Sequence, residues 1–297
     1  MRVTPLIAST FTSDGGTMFG LVPKPIWSKR IAADELNRIP QHAHVLLVEL
    51  ADGRRGLIDT GCGSAERFAP REIQLNGLGP GWPLLDALRA RGLEPEAIEF
   101  LVFTHLHWDH AGGAVAPPAW GRERSFPRAR MYIHAQEWLD ATSGNPLLYK
   151  SYPPETINAL RDGIMDMIPQ DTCEVLPGIW MHRTSGHTQG HCAIRLSHPK
   201  LELVHPDAHA FDGVTQLVLA GDVCPSRHNL RMVFQTSYDT FPLDTRAWKR
   251  EWLPRMADER TLLLFDHDPG AYGALIRPDE KEEFAIAQLL SCSANPP

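Results

Sequence analysis

Apolar residues fall along this chain in short runs that end on glycine or a polar residue, and most runs have the length of a strand. HVLLVEL (44–50) and GLIDTG (56–61) read as two strands joined by the turn ADGRR. EFLVFTH (99–105), RMYIHA (130–135), GIWMHRT (178–184), HCAIRLS (191–197), TQLVLAG (215–221) and TLLLFDH (261–267) read as further strands. Helical spacing lies between them. PLLDALRARG (83–92) reads as a helix that stops at Gly92, and a short helix follows from Gln136. Residues 155–168 put Ile157, Leu160, Ile164 and Ile168 on one helical stripe, and 244–256 and 278–290 read as two more helices. Residues 1–40, punctuated by Gly15, Gly16, Gly20, Pro23, Pro25 and Pro40, read as irregular. Strands alternating with helices predict an α/β protein with sheets inside and helices outside, over residues 1–297 as one unit.

Composition narrows the class. With 43 % hydrophobic and 22 % charged residues, a packed core can form and wholesale disorder is excluded. A net charge of −7 argues against a general nucleic-acid binder, which needs a basic face. The five cysteines (Cys62, Cys173, Cys192, Cys224 and Cys292) form no Cys-x-x-Cys pair and are odd in number, so reduced thiols are expected rather than a disulfide framework. Cys62 and Cys224 read as small buried filler. No run approaches the roughly 20 apolar residues of a membrane helix, and the N-terminus lacks the pattern of a signal peptide. The expectation is a cytoplasmic protein with a small-molecule substrate and neither nucleic acid nor membrane as partner; a homodimer stays open.

The chemistry concentrates in His105-Leu106-His107-Trp108-Asp109-His110, at the end of an apolar strand. Alternate residues of an extended segment point the same way, so His105 and His107 can share one metal ion. Asp109 and His110 begin the next turn and can face a second. Three histidines and an aspartate within six residues are far more than an ordinary polar loop carries. Four ligands are too few for two ions, and three lone polar residues, each at the end of a strand or in a glycine-flanked turn, can complete the set: His187 in SGHTQGH, Asp222 in LAGD and His267 in FDHD. Imidazole and carboxylate donors suit zinc, and also manganese, iron or cobalt. His191 reads as a hydrogen-bonded support rather than a ligand.

THLHWDHAGG, from Thr104 to Gly113, resembles the hallmark THxHxDHxGG of the metallo-β-lactamase superfamily, and His187, Asp222 and His267 fit its later motifs in order. The resemblance implies a four-layer αββα sandwich and two divalent metal ions, zinc first. It assigns His105, His107 and His187 to one ion, Asp109, His110 and His267 to the other, and Asp222 to both. Asp59 of IDTG would hold a ligand histidine from behind. The segment DGGTMFGLVPKPIWSKR (14–30), SGHTQGH, Tyr238-Asp239 with Pro242, and His267-Asp268 resemble the lactonase branch, nearest to YtnP-type probable quorum-quenching lactonases. Where studied acyl-homoserine lactonases carry a tyrosine, this chain has Pro225; Tyr238 and His228 are the candidates to replace it.

These readings imply a lactonase in which a shared water, its pKa lowered from roughly 15.7 toward about 7 between two cations, attacks the ring. Asp109 and Asp222 are the expected catalytic carboxylates. Met18, Phe19, Trp27 and Trp108 are expected to form an apolar pocket for an acyl chain, with residues 1–40 covering the site. Phosphotriester or phosphodiester hydrolysis on the same centre is the rival reaction.

Overall fold

The computed structural model describes residues 1–148 and 152–292. In chain order its strands are β1 (Arg2–Asp14), β2 (Arg38–Glu49), β3 (Arg55–Ile58), β4 (Phe100–Val102), β5 (Arg130–His134), β6 (Met165–Ile168), β7 (Thr172–Leu176), β8 (Ile179–Arg183), β9 (Cys192–Ser197), β10 (Glu202–Leu203), β11 (Gln216–Leu219), β12 (Leu262–Leu264), β13 (Ala271–Asp279) and β14 (Glu283–Ser291). The helices are α1 (Gly15–Phe19), α2 (Lys24–Trp27), α3 (Pro70–Asn76), α4 (Pro83–Arg89), α5 (Trp108–Ala111), α6 (Ala135–Thr142), α7 (Pro154–Arg161) and α8 (Pro242–Asp258). The strands form two seven-stranded sheets, ordered β10-β1-β2-β3-β4-β5-β6 and β14-β13-β12-β11-β9-β8-β7.

The period of two along each strand builds the layers. In β2, Leu46 and Val48 join the core between the sheets, while Val45 and Leu47 face outward. In β4, Phe100 and Val102 point in and Leu101 points out. In the second sheet Leu217, Leu219, Leu262 and Leu264 point in, and Val218 and Leu263 point out. Outward residues are covered in turn by Leu84, Leu85 and Leu88 of α4 and Leu160 of α7 on one side. Trp248, Leu253 and Met256 of α8 cover the other. Both faces of each sheet are therefore buried, which is why the central strands read as unbroken apolar runs. The result is the expected αββα sandwich. No helix among the described residues is long and apolar enough to cross a membrane.

Three readings of the sequence are corrected. Residues 2–14 are not irregular: β1 pairs antiparallel with β2 from Arg2↔Glu49 to Asp14↔Arg38, its alternation masked by Pro5, Thr and Ser. The helix expected at 155–168 ends with α7 at Arg161, and beyond Gly163 the chain becomes β6, parallel to β5. The closing helix expected at 278–290 is a hairpin of β13 and β14. Phe284 and Ile286 there lie two residues apart on the outer face of the sheet, and pairing with β13 makes the segment a strand. Residues 279–283 form the hairpin turn, where Asp279 Oδ1 accepts from the N–H groups of Lys281 and Glu282.

Candidate metal centre

Every side chain of the expected ligand set stands where a strand has run out. His105 and His107 follow β4, His187 follows β8, Asp222 follows β11, and His267 follows β12. The chain stays extended through His107 and then enters the single turn α5, so Asp109 and His110 leave in a different direction from His105 and His107. This turn lies flat on the loop after β3; a Cβ on Gly113 would run into the carbonyl of Thr60.

The seven side chains converge. His187 Nε2 lies 3.1 Å from His107 Nδ1, and the His105 ring lies 4.5 Å from that of His107 and 4.9 Å from that of His187. His110 Nε2 lies 3.1 Å from His267 Nε2, and Asp109 Oδ2 is 3.6 Å from His267 Nε2. Asp222 stands between the two groups. Its Oδ2 faces His187 Nε2 at 3.1 Å and His105 Nε2 at 3.9 Å. Its Oδ1 faces His267 Nε2 at 3.0 Å and His110 Nε2 at 3.4 Å.

The imidazoles are held from behind. His110 Nδ1 donates to Asp59 Oδ2 at 2.9 Å, His187 Nδ1 to Asp239 Oδ1 at 3.0 Å, and His267 Nδ1 to the His42 carbonyl at 2.8 Å. His105 Nδ1 lies 3.1 Å from Thr104 Oγ1, which itself donates to Asp59 Oδ2 at 2.7 Å. Each anchor fixes the orientation of its ring and turns Nε2 into the centre, as metal-binding histidines require. Asp59 does this from a left-handed conformation, φ 58°, which carbon-branched residues resist and aspartate tolerates.

Charge follows the same division. Burial, with the neighbouring imidazoles His110, His107 and His187, holds His105 well below its ordinary value; burial and His187 do the same to His107. Burial opposes the proton on His267 too, but Asp222 and Asp109 prevail and push it up to about 9. His110 is likewise raised, against its burial, by Asp222 and Asp59. Asp222 is buried yet held well below the usual carboxylate range by His187, His267 and His110. His105 Nε2 and Asp222 Oδ1 are buried with no hydrogen-bond partner among the described residues. Paired nitrogens about 3 Å apart with orphaned donors aimed between them fit a cation, and three overlapping sets of these side chains offer donor atoms within 4.8 Å of one another.

The centre opens into a cavity of about 860 Å³. Met18 and Trp108 line it, with Phe11 and Leu75, and Tyr238 stands in its wall, 59 % exposed. Phe19 and Trp27 do not: each is 1 % exposed, stacked on the other at 5.4 Å, in a buried cluster with Ile39 and Phe234. Met18 belongs to the same cluster and also reaches the cavity wall, whereas Phe19 does not. His228 is also absent from the cavity wall and lines a separate small space behind Met18. Pro225 uses its carbonyl to accept the N–H of His267 at 2.8 Å.

Several supports were not singled out from the sequence. Glu137, in the first turn of α6, accepts from the Leu106 N–H at 2.9 Å and from the Thr188 hydroxyl at 2.5 Å, joining the two histidine-bearing loops. Asp266 lies 3.8 Å from His110 Nδ1 with neither oxygen hydrogen-bonded; burial lifts it to about 8 although His110 pulls the other way. His191 is the support expected of it: its Nε2 accepts the Asp222 N–H at 3.1 Å and its Nδ1 meets Thr184 Oγ1 at 2.8 Å. Cys62 and Cys224 are buried, and burial pushes both thiols up.

Residues 38–267 match the metallo-beta-lactamase superfamily, and this chain belongs to it. An N-acyl homoserine lactonase of Bacillus sp. is 28 % identical over 120 residues, 39 % of this chain and 40 % of that one, so the match spans well under half of that relative. Among solved structures, a probable metal-dependent hydrolase from Staphylococcus aureus superposes with a TM-score of 0.83 at 25 % identity, covering 99 % of this chain and 98 % of the other. AidC, a dizinc quorum-quenching lactonase seen with its product N-hexnoyl-L-homoserine, shares the fold at a TM-score of 0.72 and 18 % identity, over 96 % and 92 % of the two chains.

Proposed function

We propose that this protein is a dinuclear metal hydrolase that opens lactone rings, with N-acyl homoserine lactones as the substrate class. The observation that carries the reading is the division of Asp222, whose two oxygens are each faced by a different set of imidazoles. His105, His107 and His187 would hold one ion and Asp109, His110 and His267 the other, with Asp222 placed to serve both; zinc is the first choice for this donor set. Bound there, two divalent cations acidify water and stabilise negative charge developing on a carbonyl oxygen.

The chain's own residues supply the rest. Asp109 reaches both His267 and the open cavity, so it can accept the proton of the attacking water and return it to the ring oxygen as the carbon–oxygen bond breaks. Asp59, Asp239 and the His42 carbonyl keep the imidazoles in one orientation throughout. Met18, Phe11, Trp108 and Leu75 offer apolar surface to an acyl chain, and Tyr238 offers the hydroxyl donor that Pro225 lacks. The test is to assay one zinc-loaded preparation against homoserine lactones of increasing acyl length and against an aryl phosphotriester. Lactones are expected to lead in kcat/KM by about 100-fold or more, a margin that pocket contacts can supply. Phosphotriester turnover that equals or exceeds lactone turnover would overturn the substrate assignment.

A further inference from the structure

Behind His267, on the side away from the cavity, a second group of metal-type donors comes together. His42 and His44 are alternate residues of β2 and so share a face. Cys292 follows β14, its N–H donating to the Gly270 carbonyl at 3.1 Å. His44 Nε2 lies 3.4 Å from Cys292 Sγ and 3.4 Å from His42 Nδ1, and the three donor atoms all lie within 4.8 Å of one another. His44 Nδ1 donates to the Phe265 carbonyl at 2.8 Å, which fixes the tautomer and leaves Nε2 as a lone pair. One such lone pair can accept a single hydrogen, yet both the thiol and the His42 ring face it. A cation takes one lone pair from each of the three groups and satisfies them together.

We infer that His42, His44 and Cys292 form a separate mononuclear site for a zinc-class ion. The spacing agrees with tetrahedral coordination: with Zn–N near 2.0–2.1 Å and Zn–S near 2.3 Å, neighbouring donors stand roughly 3.3 Å (N to N) and 3.6 Å (S to N) apart. Three protein ligands leave the fourth position to water. The Phe265 carbonyl behind His44 is the outer partner that ligand histidines need. His42 and Cys292 are only partly buried, which gives an ion a way in. The ion would tie the end of β14 to β2 directly behind the ligand loop: the His44 N–H donates to the Asp266 carbonyl at 2.9 Å, and the His42 carbonyl holds His267. The site does not depend on the dinuclear reading, because that centre contains no sulfur.

The experiment titrates Co²⁺ alone into metal-free full-length protein and follows the near-ultraviolet thiolate-to-cobalt charge-transfer band. The band is expected in the wild type and in His107→Ala, and lost in Cys292→Ser, whose remaining cobalt absorption reports the dinuclear centre. No band in saturated wild type, or a band that survives Cys292→Ser, overturns the site. Should Cys292→Ser fail to fold, alkylation of the wild type read by peptide mass decides: bound Zn²⁺ is expected to slow modification of Cys292 by about tenfold or more, with Cys173 unaffected. Equal rates with and without Zn²⁺ overturn the site as well.

Discussion

Replacing Asp222 by alanine is expected to lower lactone turnover by roughly a thousandfold, the upper end of the loss seen when one preorganised electrostatic group is removed from an active site. Asp222 is the one carboxylate that faces four of the imidazoles, with each oxygen turned to a different pair. Without it neither ion keeps its full set of donors. The imidazoles change as well: the Asp222 charge lifts His110, His187 and His267 against their burial, and all three should fall in the variant. Each remains anchored through Nδ1 to Asp59, Asp239 or the His42 carbonyl, so the fold should persist. Steady-state kinetics, elemental analysis and circular dichroism of the same preparation check this. Wild-type turnover with wild-type metal content would contradict the role given to Asp222.

The second large effect concerns Glu137. Its side chain is buried and supplies the acceptors for the Leu106 N–H and the Thr188 hydroxyl. Glu137→Leu leaves both donors buried and unpaired, at a cost of roughly 2–5 kcal/mol in urea unfolding of the metal-free protein. The loops bearing His105, His107 and His187 also lose their common strut, and metal affinity should fall about 10- to 100-fold, as it does when outer partners of ligands are lost. Glu137→Gln keeps the shape and an acceptor for Leu106, and should recover most of the stability. The pH dependence gives a further check. Burial raises the Glu137 carboxyl above its ordinary 4.5, although Thr188 and Leu106 pull it down. The folded protein thus holds this proton to higher pH than the unfolded chain does. The associated stability is full below 4.5 and is lost as pH rises past it. Glu137→Gln should flatten that slope; an unchanged slope would show that Glu137 is not its source.

The parts of this protein legible in the sequence are those whose information is local. THLHWDHAGG announces itself because four donor side chains sit within six residues after a buried strand. His187, Asp222 and His267 become legible beside it, since each lone polar residue follows an apolar strand and strand ends in a layered fold gather at one edge. What could not be read depends on partners far along the chain. β1 is a strand because β2 pairs with it over its whole length, and β14 because β13 does. Glu137 looks like any acidic residue in a first helical turn; only the approach of Leu106 and Thr188, 31 and 51 residues away, gives it a task. Met18 and Phe19 are neighbours in one buried cluster, yet only Met18 also reaches the cavity wall, and neither composition nor spacing distinguishes them.

Anomalous diffraction at the zinc edge from crystals of the zinc-loaded protein tests the central claim most directly. Two peaks should appear beside Asp222, one within bonding distance of His105, His107 and His187, the other of Asp109, His110 and His267, at roughly 2.0–2.2 Å from each nitrogen or oxygen. A single peak, or density that leaves either trio uncoordinated in fully loaded protein, would contradict the dinuclear centre on which the proposed hydrolysis rests.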